Sequence, residues 1–208
     1  MFRTIRTCRI LALTALVPVI GACGDDDPVG PDTSVAIVVD GVRSAAEWDG
    51  ATVLPTQSPD VTFYYTNDEE TLYLALEIRN EPLSGDDSFS VRFDNTLDGV
   101  LTEGDNVLFL TGDGSFLDRH YNGVTISARD SQDNGVGAVA AAGGGSFFEM
   151  SQPLSTGDPD DFSLAPGGSV GYCVIFTLNG TGGDGTTLPR RCQIGSSGQA
   201  DYGVMQIR

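Results

Sequence analysis

The chain has 208 residues, and its 29 acidic side chains against 11 basic ones give a formal net charge of −18 at pH 7. All 11 basic residues are arginine, so the chain contains no lysine. A surface this acidic does not attract nucleic acid or anionic lipid headgroups, but it offers many carboxylate oxygens to divalent cations.

The amino-terminal segment combines three arginines with a short apolar stretch. Residues 10–20 are too few to span a bilayer as a helix, which is typical of a signal peptide. The stretch ends in Ile20-Gly21-Ala22-Cys23, which resembles the lipobox of bacterial lipoproteins. The resemblance implies removal of residues 1–22, a lipid on Cys23, and a protein anchored at the cell envelope, either periplasmic or surface-exposed. The alternative is an ordinary secretory signal that ends near a cysteine.

The remainder of the chain divides into a tether and a domain. Residues 23–34 are acidic and contain proline, a composition that does not fold, so they predict a flexible tether. Residues 35–208 are enough for one domain with its own core. Outside the cytosol, its two cysteines, Cys173 and Cys192, are expected to form a disulfide. A metal site would need more soft ligands than these two and the distant His120.

Alternation of apolar and polar residues is the main secondary-structure signal in this domain. Residues 71–79 and 88–94 alternate strictly, as a strand with one buried face requires. Short strands separated by Gly, Asp, Asn and Pro, without a sustained helical period, predict an all-β fold, a two-sheet antiparallel β-sandwich. Further strands are predicted over residues 35–39, 61–66, 106–110, 123–129, 146–151, 170–178 and 201–207. The side chains predicted to be buried are Trp48, Leu72, Leu74, Leu76, Ile78, Phe89, Val91 and Phe93.

Five short motifs are spread through residues 35–178. They are Ile37-Val38-Val39-Asp40-Gly41 followed by Glu47-Trp48, Asn67-Asp68-Glu69-Glu70-Thr71-Leu72-Tyr73-Leu74-Ala75, Phe93-Asp94-Asn95, Phe148-Glu149-Met150-Ser151-Gln152-Pro153-Leu154 and Gly171-Tyr172-Cys173-Val174-Ile175-Phe176. In their order and spacing, the motifs resemble family 9 carbohydrate-binding modules and the wider DOMON-like sandwiches. The resemblance implies a jelly-roll-like fold.

The same resemblance implies a binding function for the domain. Family 9 modules hold sugar termini between aromatic side chains, chiefly tryptophans. This chain has a single tryptophan, and Trp48 occupies a position that looks like a core residue in such folds. Tyr64, Tyr65 and Tyr121 are therefore the candidates to stack on a sugar. Cross-strand packing is the alternative for these tyrosines.

Residues 94–105 have the pattern D-x-T-x-D-G-x-x-x-x-x-D, which is close to the calcium loops of EF-hands and dockerins. Alternate oxygens from such a loop converge on one hard cation. The predicted calcium ligands are the side chains of Asp94, Thr96, Asp98 and Asp105 and the carbonyl of Val100. The alternative is a polar hairpin loop that uses Asp, Asn and Gly for their turn geometry.

No nucleophile–base pair with the spacing of a known catalytic motif occurs in the sequence, and its one histidine is His120. We interpret the adjacent acids 86–87 and 160–161 as solvated surface and residues 130–135 as a turn. The sequence thus predicts a non-catalytic envelope module that binds structural calcium and a glycan or an envelope protein. The alternative is an accessory domain of a carbohydrate-active or partner-protein complex, a scaffold without sugar binding.

The lipoprotein interpretation makes a direct prediction about the mature amino terminus. Mass spectrometry of the membrane-bound protein should find acylated Cys23 as its first residue, because the lipobox thiol accepts the diacylglycerol before cleavage. A mature chain that begins elsewhere and carries no lipid would contradict the prediction.

Overall fold

The computed structural model describes residues 36–44, 46–56, 59–124, 128–179, 187–188 and 202–208. The signal peptide, Cys23, the tether and Cys192 lie outside these residues, so the predictions made for them stay predictions. Over the described ranges the chain contains no helix, and hence none that could cross a membrane.

Twelve strands account for the regular structure of the described ranges. They are β1 (Thr52–Pro55), β2 (Val61–Asn67), β3 (Thr71–Ile78), β4 (Ser88–Asp94), β5 (Asn106–Thr111), β6 (Phe116–His120), β7 (Ala128–Arg129), β8 (Val136–Ala142), β9 (Gly145–Pro153), β10 (Ser169–Thr177), β11 (Thr187–Leu188) and β12 (Gly203–Gln206).

The strands form two antiparallel sheets. The five-stranded sheet has the order β1-β2-β3-β9-β8, and the seven-stranded sheet has the order β11-β10-β4-β5-β6-β7 with β12 also paired to β10. The predicted all-β sandwich is thereby confirmed. Strand β3 pairs with β9 over its whole length, from Thr71 opposite Pro153 to Ile78 opposite Ser146, which brings two regions far apart in sequence into the centre of one sheet.

The main core lies between the two sheets and follows the alternation read from the sequence. Inward residues of β3 pack against inward residues of β4, β9 and β10, because successive side chains of a strand point to opposite faces. The predicted burial is confirmed at every position, with relative exposures of 0–3%: Trp48, Leu72, Leu74, Leu76, Ile78, Phe89, Val91 and Phe93.

A second, smaller cluster covers the outer face of the five-stranded sheet. Trp48 packs there against Tyr64 and Phe147, with ring centroids 6.1 Å apart in both cases. The Trp48 indole N–H donates to Oε1 of Glu149 at 2.9 Å, and the Gly41 N–H donates to Oε2 of the same carboxylate at 2.7 Å. Residues 37–44 and 46–50 therefore form a covering segment held on the sheet, and Trp48 is a core residue as the sequence suggested.

The structure departs from the predicted strands in several places. Residues 36–39 form no strand and begin the covering segment, while the described part of the predicted strand 123–129 contains only β7. Strands β1, β6, β8 and the two-residue β11 were not predicted. In β8 the reason is steric, because a Cβ on Gly137 would lie 2.9 Å from the ring of Phe116; the strand therefore uses small residues with weak strand signals.

Two glycines of the covering segment provide a matched test of this packing. Gly41 has φ of +79°, and an added Cβ would lie 2.6 Å from the carbonyl carbon of Val139, whereas a Cβ on Gly50 meets nothing within 4 Å. Gly41→Ala should lower the free energy of unfolding by more than about 1 kcal/mol in a urea titration. Gly50→Ala should change it by less than about 0.5 kcal/mol, and equal losses in both variants would contradict this account.

Candidate functional site

The predicted calcium loop connects β4 to β5, and its first carboxylate is occupied by the loop itself. Oδ2 of Asp94 accepts the Gly99 N–H at 2.7 Å, and Oδ1 accepts the Thr96 hydroxyl at 3.2 Å and the Asp98 N–H at 3.3 Å. Asp94 is 1% exposed, so its oxygens face the loop backbone rather than water.

The other two carboxylates predicted as calcium ligands, Asp98 and Asp105, also accept hydrogen bonds from the loop. Oδ2 of Asp105 accepts the Thr102 N–H at 2.7 Å and Oδ1 accepts the Asn95 N–H at 3.0 Å, while Asp98 accepts the Val100 N–H at 2.8 Å. In the described ranges, two groups of acidic or histidine ligand atoms lie within 4.8 Å of one another, and neither includes this loop. The structure thus does not gather the three predicted carboxylates, Asp94, Asp98 and Asp105, into one group, because turn hydrogen bonds engage their oxygens.

A different set of carboxylates converges at one end of the sandwich. Asp118 on β6, Asp130 just after β7 and Asp161 between β9 and β10 each offer an oxygen within 4.8 Å of the others. Their relative exposures are 0%, 6% and 7%. We call these three residues the acid cluster.

Neutral donors hold two members of the acid cluster in place. The Asn106 amide donates to Asp161 at 2.6 Å and to Asp118 at 3.2 Å, so it lies between the two carboxylates. Asn134 donates its backbone N–H to Asp118 at 3.1 Å and its side-chain amide to Asp161 at 2.9 Å. The Thr156 hydroxyl also donates a hydrogen bond to Asp161, at 2.6 Å.

His120 flanks the acid cluster on its more exposed side. Its Nδ1 is hydrogen-bonded to Oδ1 of Asp130 and lies 3.7 Å from Oδ2 of Asp160. Among the residues that the structure describes, His120 is the basic group paired with the cluster. The imidazole therefore contacts one buried carboxylate of the cluster, Asp130, and one partly exposed carboxylate outside it, Asp160.

Burial and mutual repulsion make the ionised form of the acid cluster costly. Desolvation, followed by the charges of Asp161 and Asp130, raises the pKa of Asp118 from 3.8 to about 7. Burial also raises the pKa of Asp130 to about 6, although the hydrogen bond from His120 opposes that increase. The site consequently favours a proton or a cation among its oxygens.

The interpretation of paired acids as solvated surface was wrong for two residues. Asp161 belongs to the acid cluster, and Asp87 is 2% exposed and accepts the N–H groups of Ser84 and Asn179 at 2.8 and 2.7 Å. Residues 130–135 do form a bend, but they also deliver Asp130 and Asn134 to the cluster. No local signal marks these roles, because the cluster assembles from segments more than 10 residues apart.

The three candidate tyrosines do not form one platform. Tyr64 is 5% exposed beneath Trp48, so its ring is not available to a sugar. Tyr65 points to the opposite face of β2 and packs near Phe63 with ring centroids 6.2 Å apart. Tyr121, half-buried after β6, donates its hydroxyl to the Gly123 carbonyl at 2.9 Å. Packing explains Tyr64 and Tyr65, as the alternative interpretation held.

The outer face of the seven-stranded sheet carries a row of arginines. Arg92 on β4 and Arg119 on β6 are both register partners of Val107, and Arg119 is itself paired with Arg129 on β7. The Arg119 guanidinium lies 5.7 Å from the ring centroid of the half-buried Phe109. This arginine row places three positive side chains on one face of the sheet of an otherwise acidic protein, with Arg92 and Arg119 half-buried and Arg129 exposed.

No family model matches the sequence, and no curated protein matches it. The fold is similar to that of a family 9 carbohydrate-binding module from Caldicellulosiruptor kristjanssonii solved with glucose, with a TM-score of 0.58, 15% identity and coverage of 84% of this chain and 92% of that one. A structure of a family 9 module from the same organism with cellotriose gives a TM-score of 0.57, 14% identity and coverage of 84% and 90%. The resemblance expected from the motifs is thereby confirmed for the fold.

The raised pKa of Asp118 predicts how stability depends on pH when divalent cations are removed. The folded state holds this proton up to about pH 7, whereas the unfolded state releases it near 3.8, so the group's stabilising contribution is lost as pH rises between those values. In EDTA, the melting temperature should fall between pH 5 and pH 7.5, and Asp118→Asn should reduce that fall. The exposed control Asp113→Asn should retain it; identical slopes in wild type and Asp118→Asn would contradict the prediction.

Proposed function

We propose that this protein is a non-catalytic, glycan-binding module that a lipid on Cys23 holds at the bacterial cell envelope. The observation that carries the proposal is the likeness, over 84% of the chain, to two structures of family 9 carbohydrate-binding modules with bound sugars. The likeness concerns the fold, and the glycan is our inference from it. An acidic, lipid-tethered domain would present such a module to sugars near the membrane without binding the headgroups.

The arginine row is the surface that we propose for the glycan. A sugar ring can pack on Phe109, while the neighbouring Arg119 guanidinium can donate hydrogen bonds to hydroxyl or carboxylate oxygens.

A scaffold that binds a partner protein and no sugar is the second candidate. The observation that favours it is that every exposed large apolar side chain in the described ranges is aliphatic: Val38, Val42, Val53, Leu97, Val124, Val136 and Val204. Sugar-binding surfaces generally use exposed aromatic rings. The described ranges contain no large aromatic side chain among the exposed apolar residues, which favours contacts between these aliphatic side chains and a partner protein.

Glycan binding distinguishes the two candidates. A glycan array probed with the purified full chain should identify bound sugars, and Phe109→Ala or Arg119→Ala should weaken binding at least about tenfold, since loss of one such contact costs about 1.4 kcal/mol. Val53→Ala, an exposed residue on β1 of the other sheet, is the matched control and should bind like wild type. An array without any bound glycan would favour the scaffold.

A further inference from the structure

The arginine row runs straight across the outer face of the seven-stranded sheet. Arg92 on β4 and Arg119 on β6 flank Val107 on β5, and Arg129 on β7 is opposite Arg119. Because neighbouring strands lie about 4.8 Å apart, the backbone positions of the three arginines span about 14 Å of the sheet. Three positive side chains consequently start from one line that is longer than a single sugar ring.

Two of the three arginines have no acidic partner. Arg129 pairs with Asp133 at 2.5 Å, whereas in the described ranges neither Arg92 nor Arg119 forms an ion pair. Asp94, two residues after Arg92 on the same face of β4, uses its oxygens for the N–H groups and the hydroxyl of its own loop. In a chain with 29 acidic side chains against 11 basic ones, two arginines on this face thus keep an unneutralised charge.

The surroundings of Arg92 make its charge sensitive to an anion. Burial lowers the pKa of the Arg92 guanidinium from its ordinary value, and the nearby Tyr202 opposes that change only in part. The register partners of Arg92 are Cys173 and Val107, which are 0% and 2% exposed, so its stem lies between two buried apolar neighbours. An anion on this face would meet a charge that water solvates only partly, and such pairs are stronger than pairs of fully hydrated groups.

Phe109 places an aromatic ring beside these charges. It lies two residues from Val107 on the same outer face of β5, and the Arg119 guanidinium is 5.7 Å from its ring centroid. A guanidinium holds a carboxylate with two parallel N–H donors, and a sugar ring that carries the carboxylate can pack on the neighbouring aromatic ring. Both contacts are made together only by a sugar that bears an acidic group.

We propose that the arginine row selects acidic glycans, whose sugars carry carboxylate groups, over neutral ones. The inference rests on the glycan-binding function proposed above and names the class of glycan for the same surface. Hydrogen bonds from a guanidinium to a carboxylate are about twice as strong as those between neutral groups. The net charge of −18 repels an acidic chain from the rest of the protein, so binding is expected at the row. At physiological ionic strength this repulsion is screened beyond about 8 Å, which leaves the local contacts to dominate.

Matched pairs of oligosaccharides test the preference. The full chain is titrated with oligomers of galacturonate, glucuronate and mannuronate, and each is compared with its own methyl ester, which keeps the sugar and removes the charge. At least one acid should bind at least about tenfold more tightly than its ester, since the ester loses the charge-assisted contact.

The outcomes separate this inference from the function on which it rests. Glycan binding in which no acid is preferred over its ester would overturn the inference and leave the proposed function standing. Binding of sulfated but not of carboxylated oligosaccharides would likewise overturn it. No binding of any glycan would overturn both.

Variants locate the preference by the ratio of the ester's Kd to the acid's Kd. Arg119→Gln and, independently, Arg92→Gln should lower this ratio at least about threefold, because each removes one unneutralised charge. Both should melt close to the wild-type temperature, since neither arginine has an ion pair to lose. Phe109→Ala should weaken binding of acid and ester alike and keep the ratio, because the ring contacts the sugar and not the carboxylate.

Arg43 provides the matched control on the other sheet. Its guanidinium also lies beside an aromatic ring, 5.0 Å from the centroid of Tyr64, but it is paired with Glu77 at 3.5 Å. Arg43→Gln should therefore keep the wild-type ratio. An equal fall of the ratio in Arg43→Gln would reduce the preference to net charge and overturn the proposal, as would an unchanged ratio in both row variants.

Discussion

The buried carboxylate of Glu149 joins the covering segment to the sheet on which the sandwich is built. Strand β9 is buried on both faces over eight of its nine residues, so its polar side chains need partners inside the protein. Phe148 and Met150 point into the main core, while Glu149 points to the outer face and is 0% exposed. Trp48 and the backbone N–H groups of Asp40 and Gly41 satisfy its two oxygens at 2.7–3.0 Å. A misplaced covering segment would leave the buried carboxylate without hydrogen-bond donors, so the Glu149 interaction fixes the segment's position.

Strands were predictable from the sequence where one face of the strand is more deeply buried than the other, because apolar and polar residues then alternate. Strands β3 and β4 alternate strictly, and the structure places their apolar residues inside with relative exposures of 0–2%. Strand β8 carries no such pattern, since close contact with Phe116 and Leu110 requires Gly137 and its small neighbours. Strand β6 escaped prediction because Asp118 and His120 occupy inward positions that would ordinarily be apolar. Both failures arise from long-range packing, which the composition of a short window does not contain.

The functional residues were harder to predict for a related reason. Residues 94–105 have a calcium-loop pattern, yet a pattern of this kind also suits a turn in which aspartates accept backbone N–H groups, and that is the arrangement found. The acid cluster has no local pattern, because Asp118, Asp130 and Asp161 come from separate connections and strands. Adjacent acids such as 160–161 are usually solvated, and only the tertiary fold reveals that Asp161 is buried. The abundance of carboxylates was thus evident from composition, whereas the position at which they converge was not.

The two faces of β6 connect the acid cluster with the proposed glycan surface. Asp118 points inward to the acid cluster, and its neighbour Arg119 points outward to Phe109, as the two-residue period of a strand requires. Strand β6 lies near the edge of its sheet and is followed only by the two-residue β7. A short edge is poorly constrained by pairing alone, so the contacts of its inward side chains determine how firmly the strand is held. The hydrogen bonds that Asp118 accepts from Asn106 and Asn134 therefore also fix the backbone that carries Arg119, and the inner face stabilises the geometry of the outer one.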